Sequence, residues 1–399
     1  MREPVYEFDY LRDPAGPDGV HETYWRLKRE APPVFWTSAN GGHWVVVSAD
    51  AAIEVLRDPG RFSNRYLSIP PNPAQPKMIP EGLDPPEHRA YRQLLRPFFE
   101  RQSIDPLAPR IRAWAEEMIG AVADKGECEF VEALGSRFPI SIFMELFGFP
   151  LEKFDLFRDT VVGYFNAQTD HEERMRLGMV ILGIINDLIN ERRAAPRQDL
   201  MSTLVHIDFE DRKLTHEELM SIGFLMFLAG LDTVVNALSF GMRHLAGDKA
   251  LRRTLIEHPE RAPDIVEELM RAYTFVSTPR YITQDTVVSG VQMREGESVL
   301  VPLAMIGWDE KTTSCPHEVR VDRGKCQHAG FGLGIHTCLG NYLARLEMTT
   351  FYQVWAERIG HFRQIDKGPL RYRAGSVQAI EALHLAWEVN ARNPKGVSS

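Results

Sequence analysis

The alternation of apolar and polar residues changes character along the chain. "HWVVVS" (43–48) is an apolar run of strand length, and Ser48 is placed to cap a helix opening at "ADAAIEVLRDPG". "SIPPNPAQPKMIPEGLDPPEH" (68–88) follows with seven prolines, which withhold backbone donors from helix and sheet alike and predict a long irregular loop. Loops of that length in compact proteins tend to be functional. From about 104 to 273 the chain reads as helix after helix. Near 280 it turns to "RYITQDTVVSGVQMREGESVLVPL", short runs joined by Gly-containing turns, which predict strands. The tail "AIEALHLAWEV" alternates like one more strand. No repeat and no Pro/Ser linker divides the pattern, so residues 1–399 are expected to form one mainly α domain with small β-sheets.

Thr215 and Glu218 form a T-x-x-E capping box ahead of the most apolar stretch. The helix it opens is expected to reach about residue 245, roughly 45 Å at ~1.5 Å per residue. Ile222, Phe224, Leu225, Met226, Phe227 and Leu228 make it apolar on nearly every side, as a buried central helix is. "AGLDT" (229–233) interrupts that character. Gly230 weakens the helix by about 1 kcal/mol relative to Ala, which suggests a close approach there. Thr233 can bond back to a carbonyl one turn earlier. Asp232 sets a carboxylate where an unpaired charge is costly. On these residues alone, a kinked helix with a paired Asp is a safer reading than a functional role.

The run 221–235 contains Asp232 and is short for a membrane span. The N-terminus "MREPVYEFDYLRDP" lacks the apolar core of a signal peptide. A cytoplasmic protein with no membrane contact is therefore expected. The net charge of −9 argues against general nucleic-acid binding. Four cysteines (Cys128, Cys315, Cys326 and Cys338) are too few for a disulfide framework in 399 residues, which makes a ligand or nucleophile role the more natural one.

Two of them fall in "CQHAGFGLGIHTCLG" (326–340). Zinc is a poor fit, because Cys326-x-His328 and His336-x-Cys338 are each separated by a single residue. The glycines suggest something else. "FGLGIHTCLG" reads F-G-x-G-x-H-x-C-x-G and runs straight into the helical "NYLARLEMTTFYQVW". Gly332 and Gly334 permit a turn that side chains would block, setting Cys338 at a helix start that stabilises a thiolate. Gly340 leaves room for a flat ligand.

This run resembles the haem-ligand loop of the cytochrome P-450 monooxygenases. "AGLDT" resembles the oxygen-activation segment of that family's long helix, and Glu268-x-x-Arg271 in "EELMR" its structural ion pair. Alone, the latter would indicate only a solvated salt bridge. "GLDTVVNALSF", "CPHEVRVDRGK" and "SVQAIEALHLAW" are similar to the bacterial camphor-hydroxylating branch, with Val321 departing from the usual aromatic before Arg323. The resemblance implies a P-450 fold holding haem b between the long helix and the cysteine loop, with Cys338 as axial thiolate. Phe331, Gly332, Gly340, Ala229 and Gly230 would border the haem, and His88, Arg92, Arg280 and His336 would reach its propionates. "LDPPEH" starts the helix of His88 and Arg92, with Asp84 as N-cap, Pro85 at the first position and Glu87 closing a capping box. The other reading of His88 and Arg92 is an exposed polar face. Asp232 and Thr233 would be the catalytic pair that brings protons to dioxygen, and a cysteine thiolate favours O–O cleavage.

No strand–G-x-G-x-x-G–helix unit for a dinucleotide is present. Electrons are therefore expected from a 2Fe-2S ferredoxin with an NADH- or NADPH-dependent reductase. Arg92, Arg96, Arg323, Lys325 and Arg345 are candidates for a basic docking patch, against the plainer reading of scattered surface arginines. A haem-thiolate peroxygenase and a non-catalytic haem sensor or carrier compete, and the Asp232–Thr233 pair favours O2 activation. The substrate-pocket candidates Met78, Leu225, Leu228, Ala229, Val276 and Val377 are apolar, as a terpenoid or norisoprenoid requires. The camphor enzyme has a tyrosine in the loop before its D-P-P-E helix; here Pro76, Lys77 and Met78 stand there, and Tyr66 is the nearest alternative. The pocket is thus expected to select by shape and to gain little from a carbonyl.

Overall fold

Thr215 opens the helix around which the rest is arranged. Its hydroxyl accepts from the Glu218 amide, and the Glu218 carboxylate accepts from the Thr215 amide at 2.6 Å. From there the helix runs unbroken over His216–Gly247 in the computed structural model, which describes residues 2–324 and 327–389. Lys325 of the docking patch and Cys326 of the zinc reading lie outside the described residues.

The helix is apolar all round because it faces two cores. Leu219 to Val235 pack with Phe147, Phe157 and Ile185, on the helices Arg137–Phe147, Phe154–Asn166 and His171–Ala194. Ala237 to Ala246 join a second cluster with Phe275, Trp308, Phe351 and Trp355. In length and composition the helix would cross a membrane, but 67% of its most apolar window is buried within the protein, as in a core helix. Gly230 serves packing: a Cβ there would lie 2.4 Å from the Phe143 ring.

Ser48 caps Ala49–Arg57 by accepting from the Ala51 amide, as its position predicts. The strand after Gly42 spans His43–Val46 and joins a five-stranded sheet with Val34–Thr37, Ser298–Pro302, Ser277–Ile282 and Phe62–Ser63. Antiparallel register there sets Arg280 opposite Val299. The tail differs from expectation. Ala379–Ile380 pairs with Tyr372–Arg373, while His384–Trp387 pairs with Phe362–Gln364 and Glu127–Glu129, so the alternating run is divided between two sheets. Asp84 also departs from its predicted role. The helix starts at Glu87 with no side-chain cap, because the Asp84 carboxylate accepts instead from the Ser63 hydroxyl and the Asn64 amide.

Glu268 and Arg271 are buried. Arg271 binds both Glu268 oxygens (2.8 and 2.9 Å) and donates to the carbonyls of Gly307, Pro316 and Glu318. Arg323 donates to the same carboxylate at 2.9 Å. The pair thus ties helix Ala262–Ala272 to the loop that leads toward Cys338. Arg271→Ala is expected to lower unfolding free energy by about 3 kcal/mol, because it takes one of two guanidinium partners from the buried Glu268 carboxylate and the donor from several carbonyls. Arg271→Lys rescues poorly, since an ammonium cannot reproduce the planar fork. A loss below about 1 kcal/mol in denaturant titration would contradict this.

Candidate active site

Residues 331–340 form a loop that only glycine at two positions allows. Gly332 and Gly334 both have φ of +75°, and a Cβ on Gly334 would sit 2.6 Å from the Leu56 carbonyl oxygen. The Cys338 amide donates to the Phe331 carbonyl at 2.7 Å, closing the loop just before helix Asn341–Arg358. The Cys338 side chain is exposed and lines a cavity of about 370 Å³. Desolvation raises the thiol pKa, while the Gly340 amide and the Arg92 charge pull it down.

The central helix forms the facing wall. Ala229, Gly230 and Thr233 line the cavity, as do Phe331, Gly332, Gly340 and Cys338 on the other side. All six predicted pocket residues (Met78, Leu225, Leu228, Ala229, Val276 and Val377) line it too, the first from the proline-rich loop. The Thr233 hydroxyl donates to the Ala229 carbonyl at 2.8 Å, which leaves its lone pairs for other partners. Asp232 is not on the cavity wall. Its buried carboxylate accepts from Arg373 and from the Asn236 amide at 2.8 Å. Arg373 comes from the C-terminal hairpin, and its guanidinium also lies 5.0 Å from the Phe165 ring centre.

One edge of the cavity is cationic. Arg92, Arg280 and His336 line it; His88 does not, being buried and packed on His336 at 4.5 Å between ring centres. The Nε2 atoms of both histidines are buried without a partner among the described residues. Burial, with the charge of Arg280 and its neighbours, pushes His336 down to about 2, and burial lowers Arg280 to about 10. Arg92 also donates to the Thr337 carbonyl, bracing the cysteine loop. Unpaired histidine donors beside two guanidinium groups suit a carboxylate-bearing ligand. A flat group between Cys338 and the central helix, with acidic arms at this edge, fits the residues present, and haem b has that form.

The zinc alternative finds no support in the arrangement. His328 is taken up by Glu267 at 3.1 Å and by the Gly330 amide at 3.0 Å, and no metal-holding cluster exists among the described residues. Much of the predicted docking patch is spent internally. Arg323 is half-buried on Glu268, Arg345 pairs with Glu267 at 2.5 Å over the Phe331 ring, and exposed Arg96 pairs with Glu100 at 2.7 Å. Tyr66 is no pocket residue, for its ring packs on Tyr281 at 5.2 Å and beside Arg65. Sequence reasoning overlooked Tyr164, Phe165, Gln168 and Arg174, which line the cavity from a helix pair with no distinguishing motif. It also overlooked Glu347, a buried cavity-lining carboxyl whose pKa burial raises well above the usual range. Its signal was an acid one turn after Leu343 on the buried face of a helix.

The cytochrome P450 family model matches residues 262–354. The probable cytochrome P450 127A1 of Sinorhizobium fredii (strain NBRC 101917 / NGR234) is 32% identical over 368 residues, covering 90% of this chain and 87% of its own length. The steroid C26-monooxygenase of Mycobacterium tuberculosis (strain ATCC 25618 / H37Rv) is 30% identical over 369 residues, with 90% and 92% covered. The solved structure of CYP101J2 superposes with a TM-score of 0.87 at 33% identity, covering 96% of this chain and 97% of that one. The chain belongs to the cytochrome P450 family, on a mainly α fold close to the CYP101 type. It is an enzyme of the P450 monooxygenase type, and this fold is consistent with a cytoplasmic, non-membrane protein.

Proposed function

We propose that this chain hydroxylates a small hydrophobic molecule of terpenoid or norisoprenoid type, using O2 and two electrons from a ferredoxin served by its own reductase. The observation that carries this reading is that Cys338 and Thr233 face one largely apolar cavity from separate elements. Haem b ligated by the Cys338 thiolate supplies activation and cleavage of dioxygen. Phe331, Gly332 and Gly340 bound its space on the cysteine side, Ala229 and Gly230 on the other. His336, Arg92 and Arg280 anchor its carboxylates, with His88 buttressing His336. Leu225, Leu228, Met78, Val276 and Val377 exclude water and hold an apolar substrate against the reacting centre. Thr233 holds a proton at Oγ1 beside that space, and Asp232, one residue earlier, replenishes it. Relatives named as steroid C26-monooxygenases support a hydrophobic substrate class.

The test is substrate-dependent NADH consumption and product formation with a ferredoxin and reductase supplied. A peroxygenase would instead turn over with hydrogen peroxide alone, and a sensor or carrier would form no product under either condition. Thr233→Ala is expected to keep NADH consumption within about threefold of wild type while product per NADH falls roughly tenfold, a fall at the low end for loss of a general acid. The missing electrons should appear as hydrogen peroxide. Unchanged product per NADH would refute the role of the hydroxyl.

A further inference from the structure

Tyr164 lies in helix Phe154–Asn166 and lines the cavity. The residue is 3% exposed, yet its hydroxyl makes no hydrogen bond to any described residue. Its ring is held on several sides. Phe224 meets it edge-on at 5.9 Å, Phe165 stands at 6.1 Å, and the Arg174 guanidinium covers it at 4.8 Å from the ring centre. A ring so confined aims its hydroxyl in one direction.

Other polar side chains on that wall have protein partners. Gln168 donates to the carbonyls of Phe165 (2.9 Å) and Ala374 (3.0 Å). Thr233 donates to Ala229, and Thr278 accepts from Arg280 at 2.6 Å. Arg174 also makes no ion pair with a described residue, and a cation over the ring face strengthens a phenol as a donor. A donor at a cavity wall loses its water when an apolar ligand fills the space, which is costly, and a ligand that brings an acceptor recovers that cost.

We propose that Tyr164 orients the substrate by donating to it, and that the substrate is a compact apolar molecule carrying one oxygen acceptor. This rests on the monooxygenase reading and narrows it, reversing the expectation that the pocket gains little from a carbonyl. The camphor-type loop lacks a tyrosine here, and a different element supplies one. A site built to hydrogen-bond an oxygen discriminates sharply against the analogue that lacks it.

The test uses holoenzyme and the pair adamantan-2-one and adamantane, with dissociation constants from the Soret shift and from calorimetry. Wild type is expected to bind the ketone at least ~10-fold more tightly than the hydrocarbon. Tyr164→Phe should lose that preference while its affinity for adamantane stays within about twofold, which also shows that the pocket is intact. Equal affinities in wild type would overturn the proposal, as would a preference that survives in Tyr164→Phe. So would a preference lost in Arg174→Leu but kept in Tyr164→Phe, because the donor would then be the guanidinium. A thiolate-type carbon monoxide band with no ketone preference defeats this inference alone. Absence of that band from wild type defeats the reading beneath it.

Discussion

Cys338→Ala is expected to abolish the band near ~450 nm that thiolate ligation produces in the reduced carbon monoxide complex of this family. The sulfur is the one thiol on the cavity wall among the described residues, where Met78, Met226, Met270 and Met348 carry thioethers that cannot ionise to an anionic ligand. The loop itself should survive the change. Its turns depend on Gly332 and Gly334, and its closing bond runs from the backbone of residue 338 to Phe331. The apoprotein's melting temperature should therefore stay within a few degrees of wild type, an effect of about 1 kcal/mol or less. Cys128, half-buried on a sheet edge, and exposed Cys315 should each be replaceable by serine with the band intact. A 450 nm band that persists in Cys338→Ala would remove the ligand assignment and the functional proposal with it.

Asp232→Asn is expected to slow turnover roughly 100-fold or more, the scale on which a positioned acid–base group acts. The side chain is well placed for slow, controlled proton supply. It precedes the cavity-lining Thr233 by one position, yet its carboxylate is turned away to Arg373 and Asn236. A proton passing through Asp232 must therefore exchange with an ion pair that the C-terminal hairpin provides. Asparagine keeps the size and an oxygen for Arg373 but cannot carry the proton. Substrate affinity should hold within about twofold while the solvent isotope effect on turnover rises, since proton transfer becomes limiting. Arg373→Ala should also slow turnover, and should destabilise the fold by about 3 kcal/mol or more because it leaves a buried carboxylate unpaired. Turnover of Asp232→Asn within twofold of wild type would exclude the relay.

The features legible from sequence are those whose physics is local. The capping box at Thr215 and Glu218 spans four consecutive residues, and the glycine turns before Cys338 are a matter of allowed φ within one loop. The apolar run from Ile222 to Leu228 announced a buried helix without saying that it separates two cores. Local reading failed where a distant partner outbid the local one. Asp84 had the right spacing for an N-cap, but Ser63 and Asn64 take its carboxylate. Arg323 read as a surface cation, but Glu268 takes it up.

Chain order thus settled the family's ligand loop, the central helix and the positions of its polar interruption, because backbone conformation and short spacings decide those. Folding settled everything that depends on which distant groups meet. It paired Asp232 with Arg373 across 141 positions, and turned a helix-face ion pair at Glu268 and Arg271 into a buried knot of carbonyls. It also brought Tyr164 and Arg174 to the cavity that Cys338 and Thr233 share. Burial and the matching of donors to acceptors are properties of the packed chain, and no spacing along it encodes them.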